Sequence, residues 1–155
     1  MNNQLFFVNT RHRSVFEEIM NGWESNPGRD YIATYYIFSW IIASGQWTTL
    51  RDYLPDNTNI EIEDILRSNG YRVLSSGYRR LLRLALHLYN GWAHELEDCN
   101  CSKEVTKTIS SEFMLDELFT SLDAYLSSVA IQGIIIRFGF VPVIYGQYKC
   151  WDEIY

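Results

Sequence analysis

The sequence predicts a mainly α protein: a single compact bundle of about five or six helices over residues 1–155, with a short β-hairpin or irregular segment near the C-terminus. Three observations carry this reading. Apolar residues recur at three- and four-residue intervals through most long segments, which is the period of an amphipathic helix. The run from Tyr31 to Ala43 is apolar on nearly every face, and a helix of that kind belongs in the centre of a bundle. Short clusters of turn formers separate the segments, with no linker or internal repeat, as expected for consecutive helices packed as neighbours.

Taken in order, Val15, Phe16, Ile19, Met20 and Trp23 recur at helical spacing after Asn9 or Thr10, which predicts a helix from about Arg11 to Trp23. "ESNPGRD" stops it, and Asp30 is placed to cap a second helix from Tyr31 to about Ser44, ended by Gly45. A short amphipathic turn is expected over Trp47–Leu54. Asn59 or Thr58 is read as the cap of "IEIEDILRSNG", Gly70 as its stop, and "YRVLSS" as a short extended segment. The next helix, from Ser76 to about Glu97, buries Leu81, Leu82, Ala85, Leu88, Tyr89 and Trp92. "EDCNCSKEVTKTISS" reads as a loop. The longest helix opens at Ser111, with Leu115, Leu118, Leu122, Tyr125, Leu126 and Val129 as its core face and a kink or division at Gly133.

Thirteen basic and nineteen acidic side chains give a net charge of −6, so the molecule repels phosphate backbones and direct nucleic-acid binding is disfavoured. An acidic surface suits basic proteins instead, including those that themselves bind nucleic acid. The odd cysteine set, Cys99, Cys101 and Cys150, and a first segment without signal-peptide character lead to the expectation of a reducing, cytoplasmic setting. The thirteen-residue apolar run falls short of the roughly 20 residues needed to cross a bilayer, so no membrane association is expected.

Of the chemistry-bearing constellations, the most prominent is the ridge Arg79, Arg83, His87 and Asn90, at helical spacing on one edge of "YRRLLRLALHLYNGW". Two guanidinium forks beside an imidazole and an amide suit a phosphate or carboxylate, so a small anionic ligand such as a nucleotide signal is the alternative reading. The simpler reading is the wet face of an amphipathic helix, or a partner for the acidic stretch at 112–123. Cys99, Cys101, Cys150 and His94 offer four zinc-type donors, but Cys-x-Cys lacks the usual two-residue gap, and neither a metal nor another cofactor is expected. No nucleophile elbow, dinucleotide fingerprint or phosphate loop can be written onto the chain. An unrecognised site of His12 with nearby carboxylates is the least favoured reading, His12 between Arg11 and Arg13 being better suited to capping or bridging.

The stretches "FFVNTRHRSVFEEIM", "DYIATYYIF", "SSGYRRLLRLALHLYNGW" and "SSEFMLDELF" occur together in this order. In their order and spacing the chain resembles a small family of uncharacterised proteins of low-GC Gram-positive bacteria and their phages and mobile elements. The resemblance covers most of residues 5–126 and rests on Phe6, His12, Arg13, Phe16, Tyr31, Arg80, Leu84, Ala85, Leu88, Asn90, Gly91 and "DELF" at 116–119. The C-terminal third departs from it. It implies no activity, only a context in which inhibitors of host defence abound. The expected function is therefore a non-enzymatic interaction module that blocks a host or defence-system protein, CRISPR or other, through an acidic, aromatic-rich surface. Trp23, Trp47, Trp151, Asp116, Glu117 and Asp123 are the candidate interface residues.

Overall fold

The apolar run is the axis of the molecule. In the computed structural model, which describes residues 5–23, 27–54, 59–91, 115–120, 122–139 and 148–150, it forms helix α2 (Arg29–Ala43), buried at every position from Ile32 to Ala43. Before it come strand β1 (Leu5–Phe7) and helix α1 (Thr10–Asn21). After it come a 3-10 helix (Thr48–Tyr53) and helices α3 (Ile62–Arg67), α4 (Asn69–Val73), α5 (Ser76–Asn90), α6 (Leu115–Thr120) and α7 (Ala124–Phe138). Strand β2 (Tyr148–Cys150) is the last element described. The fold is mainly α, as the periodicity predicts. Helices α1, α5 and α7 all pack on α2, and α5 also meets α7. No helix among the described residues is long and apolar enough to cross a membrane.

Local chemistry sets the element ends. Asn9 caps α1 by accepting the His12 amide at 2.8 Å. α2 begins earlier than expected: Gly28 holds the cap position and Asp30 sits in the first turn, where its charge still favours the helix dipole. Ser68 both follows the last residue of α3 and caps α4, its Oγ accepting the Tyr71 amide at 3.1 Å. The expected extended segment "YRVLSS" is thus partly a helical turn, Gly70 lies inside α4 instead of ending α3, and Glu61 takes the cap position assigned to Asn59. α5 stops at Asn90, short of the predicted Glu97, because Gly91 turns left-handed (φ 74°) and returns its amide to the His87 carbonyl at 2.8 Å.

The predicted long C-terminal helix is divided, and the division falls before Asp123. Asp123 Oδ1 accepts the Leu126 amide at 2.8 Å and starts α7 afresh. Gly133 continues the helix, packed where an added Cβ would lie 2.8 Å from Ile37 Cδ1. The restart changes the helical phase: Leu126, Val129, Ala130, Gly133 and Ile136 face the core, while Tyr125, predicted inside, is 61% exposed. Asp123 is therefore a cap as well as an exposed carboxylate. Asp123→Ala should lower stability by about 1 kcal/mol in denaturant unfolding.

Near the C-terminus three residues form the strand β2. Its partner among the described residues is β1, in parallel and in the register Leu5–Tyr148, Phe6–Lys149 and Phe7–Cys150. The hairpin or irregular segment expected near the C-terminus falls mostly on residues 140–147 and 151–155, which lie outside the described residues. The Tyr36 hydroxyl donates to the Phe6 carbonyl, fixing β1 against α2.

Candidate functional site

Packing α1, α2 and α5 side by side brings together four aromatic residues distant in sequence. Trp23, just past α1, meets Tyr31 edge-on at 4.9 Å between ring centroids, and Tyr35 at 5.7 Å. Tyr31 meets Tyr89 of α5 edge-on at 5.1 Å. The Tyr31 and Tyr89 hydroxyls lie 3.2 Å apart, and each is 3.2 Å from Asn59 Oδ1. The Ile60 amide donates to the Tyr89 hydroxyl at 3.3 Å. The hydrogen bond with Tyr89, followed by burial, pushes the Tyr31 phenol up to about 12, so it remains a protonated donor at neutral pH.

Beside this array opens a cavity of about 210 Å³ lined by Glu18, Ile19, Gly22, Trp23, Tyr35, Arg51 and Leu54. Tyr35 is fully buried, whereas Trp23 is partly exposed. At the rim, Arg51 Nη1 and Glu18 Oε1 are 2.6 Å apart, with both side chains about half exposed. Such an exposed pair adds little to stability. Asp30 borders Tyr31, and Glu61 is exposed next to the Asn59–Ile60 segment. The result is an aromatic face bordered by Glu18, Asp30 and Glu61 and by Arg51, which pairs with Glu18.

The other sequence candidates fall elsewhere. Trp47 is a correction: only 5% exposed, it packs edge-on to Tyr53 at 5.5 Å, donates Nε1–H to Thr49 Oγ1 at 3.1 Å, and lies in the core instead of at a surface. Asp116 and Glu117 stand on α6, and Asp123 caps α7. Trp92 and Trp151, with His94, Cys99 and Cys101, lie outside the described residues, and of Cys150 only the strand is described. Among the described residues no three His, Cys, Asp or Glu side chains group as metal ligands.

The cationic ridge does run along α5. Arg79 and Asn90 are exposed, and Arg83 and His87 half-buried. Arg83 is engaged within the fold: its Nε donates to the Tyr71 hydroxyl at 2.7 Å and its guanidinium lies 5.9 Å from the Tyr71 ring centroid. None of these four residues lines the cavity beside Trp23.

His12 is a further correction. Instead of standing at the surface as a basic knot or a base for carboxylates, it is fully buried. Its Nε2 lies 2.9 Å from the Tyr36 carbonyl, and Nδ1 accepts the Val8 amide at 3.4 Å, which assigns the proton to Nε2. Phe7, Tyr36 and Trp40 surround the ring. Desolvation drives its pKa down to about 3 despite the opposing Tyr36 bond. It is a neutral packing residue.

Fold and site together define a mainly α protein carrying a partly exposed aromatic face. No family model matches the chain, and no curated protein or solved structure matches it.

Proposed function

We propose that this chain is a non-enzymatic protein-interaction module that docks a basic partner on the face formed by Trp23, Tyr31 and Tyr89. The observation that carries the reading is Trp23: a large ring held edge-on against Tyr31, partly exposed and lining a cavity together with Glu18. Such a residue loses little freedom on binding and brings a large apolar area, which are the properties of an interface anchor. The net charge of −6 and the neighbouring Glu18, Asp30 and Glu61 favour a partner rich in lysine and arginine. In the finer reading the partner is a host or defence-system protein, itself basic or nucleic-acid-binding, and the chain is a phage- or mobile-element-encoded inhibitor that blocks it. The resemblance in motif order to proteins of Gram-positive bacteria and their mobile elements motivates that step.

The test is capture from a Gram-positive lysate at moderate salt, using wild type and Trp23→Ala side by side. A single basic protein retained in stoichiometric amount by wild type, and weakened about thirtyfold by Trp23→Ala, is the expected result. Equal retention by both proteins would remove Trp23 from the interface and the reading with it.

A further inference from the structure

A second cavity, sharing no lining residue with the one beside Trp23, has a volume of about 190 Å³. It is lined by Phe6 and Val8, by Tyr36 of α2, and by Ser128, Ile131 and Gln132 of α7. Phe6 and Ile131 are 44% and 49% exposed, so solvent reaches it. Among the described residues four polar side chains are buried: His12, Thr34, Ser39 and Gln132. Three of them are hydrogen-bonded within the fold, His12 to the Tyr36 carbonyl and the Val8 amide, Thr34 to the Asp30 and Ala85 carbonyls, and Ser39 to the Tyr36 carbonyl. Gln132 differs. It is only 8% exposed, yet its side-chain amide has no hydrogen-bond partner among the described residues. Neither atom of that amide is sealed off, so the small part of Gln132 left open at the cavity includes its polar end. A buried amide left unmet is costly, and native folds keep such groups paired as a rule.

The geometry points to a binding site for one small, uncharged planar molecule that carries a primary carboxamide, held by the Gln132 amide. Size gives the first limit. A cavity of roughly 150 Å³ holds benzene, so 190 Å³ leaves room for one ring and a short substituent, below the roughly 300 Å³ at which pockets for drug-sized ligands begin. The walls give the second. Phe6, Val8, Ile131 and the Tyr36 ring are apolar, and none of the six lining residues is charged. With −6 on the molecule, an anion would lose its hydration and gain no counterion, and a cation would meet no carboxylate.

The polar groups give the third limit. The Ser128 hydroxyl donates to the Ala124 carbonyl at 2.8 Å, the Tyr36 hydroxyl donates to the Phe6 carbonyl, and the Val8 amide donates to His12. None of these protons is left for a ligand. Gln132 therefore supplies the donor, through Nε2, and it accepts through Oε1, with the Ser128 oxygen as a further acceptor. A carboxamide answers this set: its carbonyl takes the Nε2 proton and its N–H groups meet the acceptors. A carboxylate of the same shape brings only acceptors and a charge.

Benzamide and benzoate, alike in shape and different in charge and donors, test the site on the full chain. In heteronuclear NMR titrations benzamide should shift the Gln132 side-chain resonances and the backbone amides of Phe6 and Ile131. The expected Kd is on the order of 1 mM, which about nine non-hydrogen atoms can supply. Benzoate should bind more weakly by about tenfold or more. Gln132→Leu, which keeps the volume and removes the amide, should fold with an unchanged or higher Tm and weaken benzamide by about tenfold or more. Ser128→Leu, which fills the cavity from the same helix and leaves Gln132 in place, should abolish the shifts. Trp23→Ala should bind benzamide as wild type does, which separates this site from the proposed partner face. An absence of shifts at every benzamide concentration would leave the cavity to water and overturn the inference. Equal binding of benzoate, or wild-type affinity in Gln132→Leu or Ser128→Leu, would overturn it as well.

Discussion

Gly70→Val should lower stability by about 3 kcal/mol, seen as a fall of roughly 6–12 °C in Tm for a chain of this size. A Cβ placed on Gly70 would overlap the Cε2 and Nε1 atoms of the Trp47 indole. That indole has no free direction in which to retreat. It is 5% exposed, its Nε1–H is committed to Thr49, and its ring lies against Tyr53. Valine would gain some helix propensity over glycine within α4, a few tenths of a kcal/mol, which offsets only a small part of the overlap. The cause can be isolated. In a Trp47→Leu background, itself destabilised, adding Gly70→Val should cost less than about 1 kcal/mol, because the obstructing ring is gone. If Gly70→Val costs the same in both backgrounds, the origin lies in the α4 backbone and not in the approach to Trp47.

The same contact marks where sequence reasoning stops. Gly70 reads as a helix stop because glycine ends helices often, and nothing local reveals an indole arriving from more than twenty residues earlier. Features set within one or two turns were legible: the Asn9 cap, the all-round burial of α2, and the short helical turn after Trp47. Features that need tertiary placement were not. Asp123 has the chemistry of a cap, but in a long apolar pattern it passes for one more surface carboxylate, and missing it put Tyr125 on the wrong face. The candidate site follows the same division. Trp23 could be singled out as an aromatic residue at a helix end. Tyr31, against which it packs, is separated from Tyr89 by 58 residues, and only the packing of α5 on α2 joins their hydroxyls.

Lowering the pH from 7 to 5 should remove about 2 kcal/mol of stability through His12 alone. In the folded chain burial drives its pKa down from 6.5 to about 3, so the ring stays neutral where an unfolded histidine would already be charged. Between these two values the unfolded state binds the extra proton, and each pH unit below 6.5 therefore costs about 1.4 kcal/mol. The contribution is fully present above pH 6.5 and is lost progressively as the pH falls toward 3. Protonation has no way to be accommodated in place: Nδ1 would gain a hydrogen facing the Val8 amide that now donates to it, inside a shell of Phe7, Tyr36 and Trp40. Working between pH 7 and 5 keeps the measurement above the range in which ordinary carboxylates titrate. His12→Gln should be less stable at pH 7, through the loss of the imidazole's packing among those rings, yet its stability should not show this 2 kcal/mol decline. Denaturant midpoints for both proteins across that range read the difference directly. Parallel slopes, or a His12 ring resonance that titrates near 6.5 in the folded protein, would contradict the buried neutral state and reopen His12 as a group that solvent can reach.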